Sequence, residues 1–97
     1  MKVTFAAEAR REFAEAAGWY TAEAGGVRAV DFNNAVKRTV NLLVAHPAMG
    51  TPSPHNTRRI VVHRYPYAIV YRADGDTMRI LAVAHQHRRP GYWAGRR

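Results

Sequence analysis

The sequence predicts an α+β fold, a two-layer sandwich. An antiparallel N-terminal helical hairpin packs on one face of a small, mainly antiparallel four-stranded sheet, in the order β-α-α-β-β-β, followed by a basic C-terminal tail. Three observations predict it. Apolar residues recur at helical spacing over residues 6–45, and the Gly25-Gly26 pair divides that stretch in two. Residues 57–85 hold three runs rich in β-branched and aromatic residues, separated by short turn sequences. A chain of 97 residues suits a single domain, residues 1–97, with one two-layer core.

Each element follows in order. Lys2–Phe5 is a short strand, and Ala6–Ala24 is a helix rich in Ala and Glu. Its apolar stripe is Ala9, Phe13, Ala16, Tyr20 and Ala24. The Phe5-Ala6 entry offers no side-chain N-cap, although Glu8 suits the positive end of the helix dipole. Gly25-Gly26 ends this helix, and a second runs from Val27 to Ala45 with Ala29, Phe32, Val36, Val40 and Leu43 on one face. Pro47 stops it, and Pro47–Asn56, with three prolines and a glycine, is expected to be a stiff surface loop. The strands are Thr57–His63, Tyr67–Arg72 and Thr77–His85, the last two joined by the hairpin turn Ala73-Asp-Gly-Asp76.

Two inferences about the sheet bear on function. Tyr67, Ile69 and Tyr71 share a face and are assigned to the core. On the last strand neither Arg79, Leu81, Val83, His85 nor Met78, Ile80, Ala82, Ala84 forms a polar face, so that strand is central. Two helices cover only one face of the sheet. The other is expected to be open, basic and populated by arginine and histidine.

Charge is distributed unevenly. Residues 1–45 carry six Lys/Arg against five acids, whereas residues 46–97 carry nine arginines and no lysine against Asp74 and Asp76, giving most of the net charge of +8. The last 13 residues, from His85 to Arg97, hold two histidines, four arginines, Tyr92 and Trp93 with no carboxylate. Arginine forks match phosphates, and aromatic faces stack on bases, so this half suits a polyanion or an acidic partner. Arg58, Arg59, Arg64, Arg79 and Arg89 are the candidate phosphate- or target-binding residues. Arg58 and Arg59 are adjacent on a strand and point to opposite faces. Tyr92-Trp93 after Pro90-Gly91 has two readings, a stacking surface or an aromatic pair folded back to seal the core edge.

Several chemistries are excluded or disfavoured. Without cysteine there are no disulfides, no thiolate nucleophile and no Cys-based zinc site. His85-x-His87 has no carboxylate near it in sequence, so no metal and no cofactor is expected. The N-terminus leads directly into a charged helical pattern, so neither a signal peptide nor a membrane span is expected, and the protein is expected to be cytoplasmic.

Taken in order, several segments resemble the RelE/ParE superfamily of bacterial toxin–antitoxin toxins over nearly the whole chain. They are Phe5, Ala9 and Trp19-Tyr20, then His46-Pro-Ala-Met-Gly-Thr-Pro52 and Arg58-Arg59. Tyr65-Pro-Tyr-Ala-Ile-Val-Tyr-Arg72, Asp74-Gly-Asp76, Ile80-Leu-Ala-Val-Ala-His85 and Arg88-Arg-Pro-Gly-Tyr-Trp93 complete the set. The resemblance implies a helical hairpin on a small antiparallel sheet and a cognate antitoxin whose acidic or amphipathic C-terminal segment wraps the toxin in a hetero-oligomer. It also implies one of two activities: ParE-like poisoning of DNA gyrase, or RelE-like cleavage of mRNA on the ribosome. Tyr-Pro-Tyr…Tyr-Arg and the His…Arg-Arg-Pro ending are closer to the ParE-like branch. If the chain were a metal-independent nuclease, His85, His87 and Tyr92 would supply proton transfer, while Arg88 and Arg59 would supply charge. A non-toxic, basic RNA-binding module is the third reading.

Overall fold

The helices form where the apolar stripes place them. In the computed structural model, which describes all 97 residues, α1 spans Ala7–Ala24 and α2 spans Gly26–Ala45. The break is narrower than a Gly-Gly turn. Only Gly25 leaves the helical region, at φ 89°, where a side chain would strain the backbone, and Gly26 already begins α2. Ala6 provides no side-chain cap, as the sequence predicts. The facing stripes meet at Phe32, whose ring lies 5.0 Å from Tyr20, 5.1 Å from Tyr65 and 5.9 Å from Phe13.

The sheet has five strands rather than four. They are β1 (Lys2–Phe5), β2 (Thr51–Ser53), β3 (Thr57–Val61), β4 (Tyr67–Asp74) and β5 (Thr77–His85), in the spatial order β1-β5-β4-β3-β2. All neighbours are antiparallel except β1, which runs parallel to β5, so the sheet is mixed. The added strand, β2, lies inside the segment expected to be loop. Thr51-Pro-Ser53 has little strand propensity of its own, and its pairing with Thr57–Arg59 is imposed from outside. Positive φ at His55 and Asn56 reverses the chain. The Arg72 guanidinium donates to both of their carbonyls, at 2.8 and 3.3 Å. Pro52 is tolerated because β2 is the outer edge strand.

The segment before β2 is fixed by β4. The Tyr71 hydroxyl, fully buried with its residue, donates to Pro47 O at 2.7 Å and accepts from Gly50 N–H at 2.9 Å. Arg58 donates to the carbonyls of Ala48 and Gly50. A Cβ at Gly50 would fall 2.6 Å from the Tyr71 hydroxyl oxygen, so only glycine allows this approach.

The second face of the sheet is covered, contrary to the expectation of an open basic surface. Ala68–Tyr71 and Ile80–Ala84 are buried without a gap, so both faces of the two central strands are apolar. Helices cover Ile69, Tyr71, Met78 and Ile80, while Trp93 from the C-terminal segment covers Val70, Ala82 and Ala84. The unclean strand parity also has a cause. Val70 pairs with Ala82 and Tyr71 with Ile80, leaving Leu81 as a bulge residue on β5. A bulge reverses the face that later residues use, so Ile80 faces the helices and Ala82 faces the tail. As predicted, β5 is an inner strand and Tyr67, Ile69 and Tyr71 belong to the core. No helix is long and apolar enough to cross a membrane.

Replacing Tyr71 with Phe is expected to lower stability by about 1–3 kcal/mol, since it leaves Pro47 O and Gly50 N–H without their partner while keeping the ring. Urea unfolding checks this; an unchanged midpoint would contradict the proposed anchoring of residues 46–50.

Candidate functional site

The site begins where β1 ends. β1 pairs with β5 only as far as Phe5↔Ile80, and the Ala6 N–H makes the last bond, to Ile80 O at 2.9 Å, before the chain enters α1. Beyond that point one edge of β5 would leave Leu81 C=O and Val83 N–H without partners. Side chains replace the missing strand. Glu12 of α1 accepts from Val83 N–H at 3.1 Å, and Arg96 of the tail donates to Leu81 O at 3.0 Å.

Glu12 and Arg96 also bind each other through both forks, at 2.7 and 3.1 Å, with each side chain only 14% exposed. The Tyr92 hydroxyl donates to the second Glu12 oxygen at 2.6 Å. Burial, and then the Glu12 carboxylate, push the Tyr92 hydroxyl well above the usual tyrosine range. For Arg96, burial works against the charge, but the bond to Glu12 and its charge outweigh it, so the guanidinium is held more firmly protonated. The Arg88 guanidinium lies 4.0 Å from the centre of the Tyr92 ring. One carboxylate thus fixes the tail, the edge of β5 and the aromatic support beneath Arg88.

His85 ends β5 half-buried. Its ring stands edge-on to Tyr67 at 5.1 Å and stacks on His87 at 5.1 Å, and its Nδ1 accepts from the His87 N–H at 3.1 Å. Two of the three grooves that border His85 also reach Arg88. The one toward α1 measures about 230 Å³ and includes Glu15, Trp19, Tyr67 and Arg88 in its walls. The one toward β3 measures about 190 Å³ and includes Arg59, Gln86, Arg88 and Arg89. No three His, Asp or Glu side chains converge as a metal site would require.

The structure therefore brings His85, His87, Arg88, Tyr92, Arg59 and Arg89 to one end of the sheet. It leaves three predicted target-binding arginines elsewhere. Arg58 holds the Ala48–Gly50 turn. Arg64 pairs with Asp31 of α2 at 3.7 Å, where the Tyr65 hydroxyl holds the Asp31 carboxyl below its usual range. Arg79 donates to the carbonyls of Phe5 and Arg97. Arg58 and Arg59 do diverge, as strand geometry requires. Glu12 and Arg96 were missed by the sequence reading. A signal for Glu12 existed, because Ala9, Glu12 and Ala16 step by three and four residues and place the carboxylate on the buried stripe.

A sequence model described as "ParE toxin of type II toxin-antitoxin system, parDE" matches residues 3–90. The chain belongs to the ParE toxin family. It is therefore a toxin of the toxin–antitoxin class, within the RelE/ParE superfamily that the sequence resembles. Among solved structures, a chain described as "Chromosomal ParDE TA system from P. aeruginosa" shares the fold, with a TM-score of 0.77. The alignment covers 88% of this chain and 95% of that one, at 22% identity. No curated protein matches the chain. Tyr92, Trp93 and Arg96 lie beyond the family-matched residues; Tyr92 and Arg96, held by Glu12, form a latch that ties the tail of this ParE-family chain to β5.

Replacing Glu12 with Ala is expected to cost roughly 3 kcal/mol, because it leaves the shielded Arg96 charge without its counter-ion and the Tyr92 hydroxyl and Val83 N–H without an acceptor. Glu12→Gln, which keeps one carbonyl oxygen, should cost less. Thermal unfolding followed by tryptophan emission would measure both, with a red shift from Trp93 as the tail loosens. Wild-type stability in Glu12→Ala would refute the latch.

Proposed function

We propose that this toxin arrests growth by binding DNA gyrase, and that a cognate antitoxin with an acidic or amphipathic C-terminal segment neutralises it. Family membership supports the toxin reading, and ParE-like toxins act on gyrase. The observation that carries the choice against RNA cleavage is the commitment of Tyr92. Its hydroxyl is held by Glu12, and its proton is made harder to release. A general acid works best with a pKa near the operating pH, and burial moves this one the wrong way.

The two histidines do not restore the pair. An in-line displacement at phosphorus has its attacking and leaving oxygens on opposite sides, so acid and base must flank the phosphate. The His85 and His87 rings stack at 5.1 Å, too close to admit a phosphate between them. A toxin acting through contact needs a fixed surface rather than free proton donors. Glu12, Tyr92 and Arg96 provide that fixity.

For the antitoxin, the exposed side of α1 is the favoured seat. Trp19 is 56% exposed and, with Tyr20, Pro66, Tyr67 and His85, borders a groove of about 380 Å³ that suits an apolar anchor. Acidic residues flanking such an anchor would speed association with a chain of net charge +8.

The test is Tyr92→Phe expressed in bacteria. The variant is expected to remain toxic, with gyrase–DNA cleavage complexes accumulating and mRNA intact. Loss of toxicity in the folded variant, together with loss of ribosome-dependent mRNA cleavage, would instead establish the nuclease reading.

A further inference from the structure

Of the nine arginines of residues 46–97, all but the terminal Arg97 fall into two groups once their partners are known. Arg58, Arg72, Arg79 and Arg96 each donate to a carbonyl or a carboxylate of the protein, and Arg64 forms an ion pair with Asp31. Arg59, Arg88 and Arg89 do neither. These three line one cleft, the 190 Å³ groove between the tail and β3, and no Asp or Glu lines it. Like charges gathered without a counter-ion repel one another, so entry of an anion is favoured.

The cleft is built for more than general attraction. The Arg88 guanidinium sits over the Tyr92 ring, 4.0 Å from its centre, and Tyr92 is in turn fixed by Glu12, so this fork is supported before any ligand arrives. Arg59 stands opposite Val70, which Trp93 covers, so the floor between the forks is Val70, Ala84 and Trp93 and excludes water. A low-dielectric floor strengthens the attraction of each guanidinium for an anion. His85, whose ring stacks on His87, lines the same cleft and brings to it an aromatic ring of the kind on which a base stacks.

We infer that the Arg59–Arg88–Arg89 cleft binds the phosphodiester backbone of a nucleic-acid strand. This rests on the reading of the chain as an inhibitor of a DNA-bound enzyme, and it assigns to the toxin a direct grip on the DNA that gyrase carries. Three forks along one cleft suit a strand that presents successive singly charged phosphodiesters, each with two unesterified oxygens. A peptide carboxylate would engage one fork and leave the others unpaired.

The experiment measures binding of the purified toxin to a labelled single-stranded DNA, and to an RNA of the same sequence, across salt concentrations and without gyrase. Arg59→Gln with Arg89→Gln removes two exposed guanidiniums, and the matched control, Lys37→Gln with Arg38→Gln, removes two exposed charges from α2. The cleft variant is expected to make the slope of log affinity against log salt shallower by about 1.4, with weaker binding throughout, while the control changes little. Circular dichroism verifies that both variants fold. Equal weakening by the two variants would overturn the proposal, as would an acidic peptide that binds in the cleft while DNA does not. Binding of DNA and RNA alike supports a phosphodiester site, and binding of RNA alone overturns the assignment to DNA. Gyrase poisoning is assayed in parallel. Cleft-dependent DNA binding without poisoning would uphold the cleft and remove the gyrase reading; poisoning that survives loss of the cleft would do the reverse.

Discussion

A four-residue strand beside a nine-residue strand leaves a problem that the rest of this structure solves. β1 can pair with β5 only through Ile80, and the next peptide groups of β5 lie against a helix, which offers no backbone partners. Buried backbone groups left unpaired would cost more than the fold can readily offset. Glu12 and Arg96 answer each other's charge and, at the same time, the orphan N–H of Val83 and C=O of Leu81. Neither could sit there alone, since a shielded charge needs its partner. The carboxylate on α1 therefore requires the arginine of the tail, and the tail must cross the sheet to deliver it.

That crossing determines the character of the toxin's basic end. Trp93 lands on Val70, Ala82 and Ala84, a face that exists because the bulge at Leu81 reverses the parity of β5. Full burial of a large apolar side chain contributes roughly 1.5–3 kcal/mol, enough to hold a short segment that has no helix or strand of its own. The turns between His85 and Trp93 then present Arg88 and Arg89 toward Arg59. Rigidity, rather than reactivity, is the property this end of the molecule displays. A surface that must meet a partner without rearranging gains affinity from such pre-organisation.

Much of the fold was legible in the sequence because it depends on local periodicity. The stripes at Ala9–Ala24 and Ala29–Leu43 define the hairpin, and the three longer strands follow from their β-branched runs. β2 was not legible, because Thr51-Pro-Ser53 becomes a strand only through partners supplied by β3 and the grip of Arg72. The covered second face was hidden for a related reason. The mixed parity of β5 recorded a bulge, and a bulge is fixed by pairing rather than by composition. At the site, the ending His85–Trp93 was visible as a charged aromatic cluster, and its residues do converge. Which arginines remain free could not be read, since Arg58, Arg64 and Arg79 are engaged by acceptors distant in sequence. Glu12 was half-legible, as a carboxylate at a buried helical position.

Side chains from α1 and the tail act as the missing edge of β5. The most direct measurement is amide hydrogen exchange at Val83, a residue whose N–H has a carboxylate rather than a strand as its acceptor. Slow exchange is expected there, comparable with the paired amides of β4 and β5, with matching protection at Tyr92, Ala94 and Arg96 in the tail turns. Rapid exchange at Val83 and through the tail, with β4 and the rest of β5 still protected, would show that Glu12 and Arg96 do not close the edge of β5.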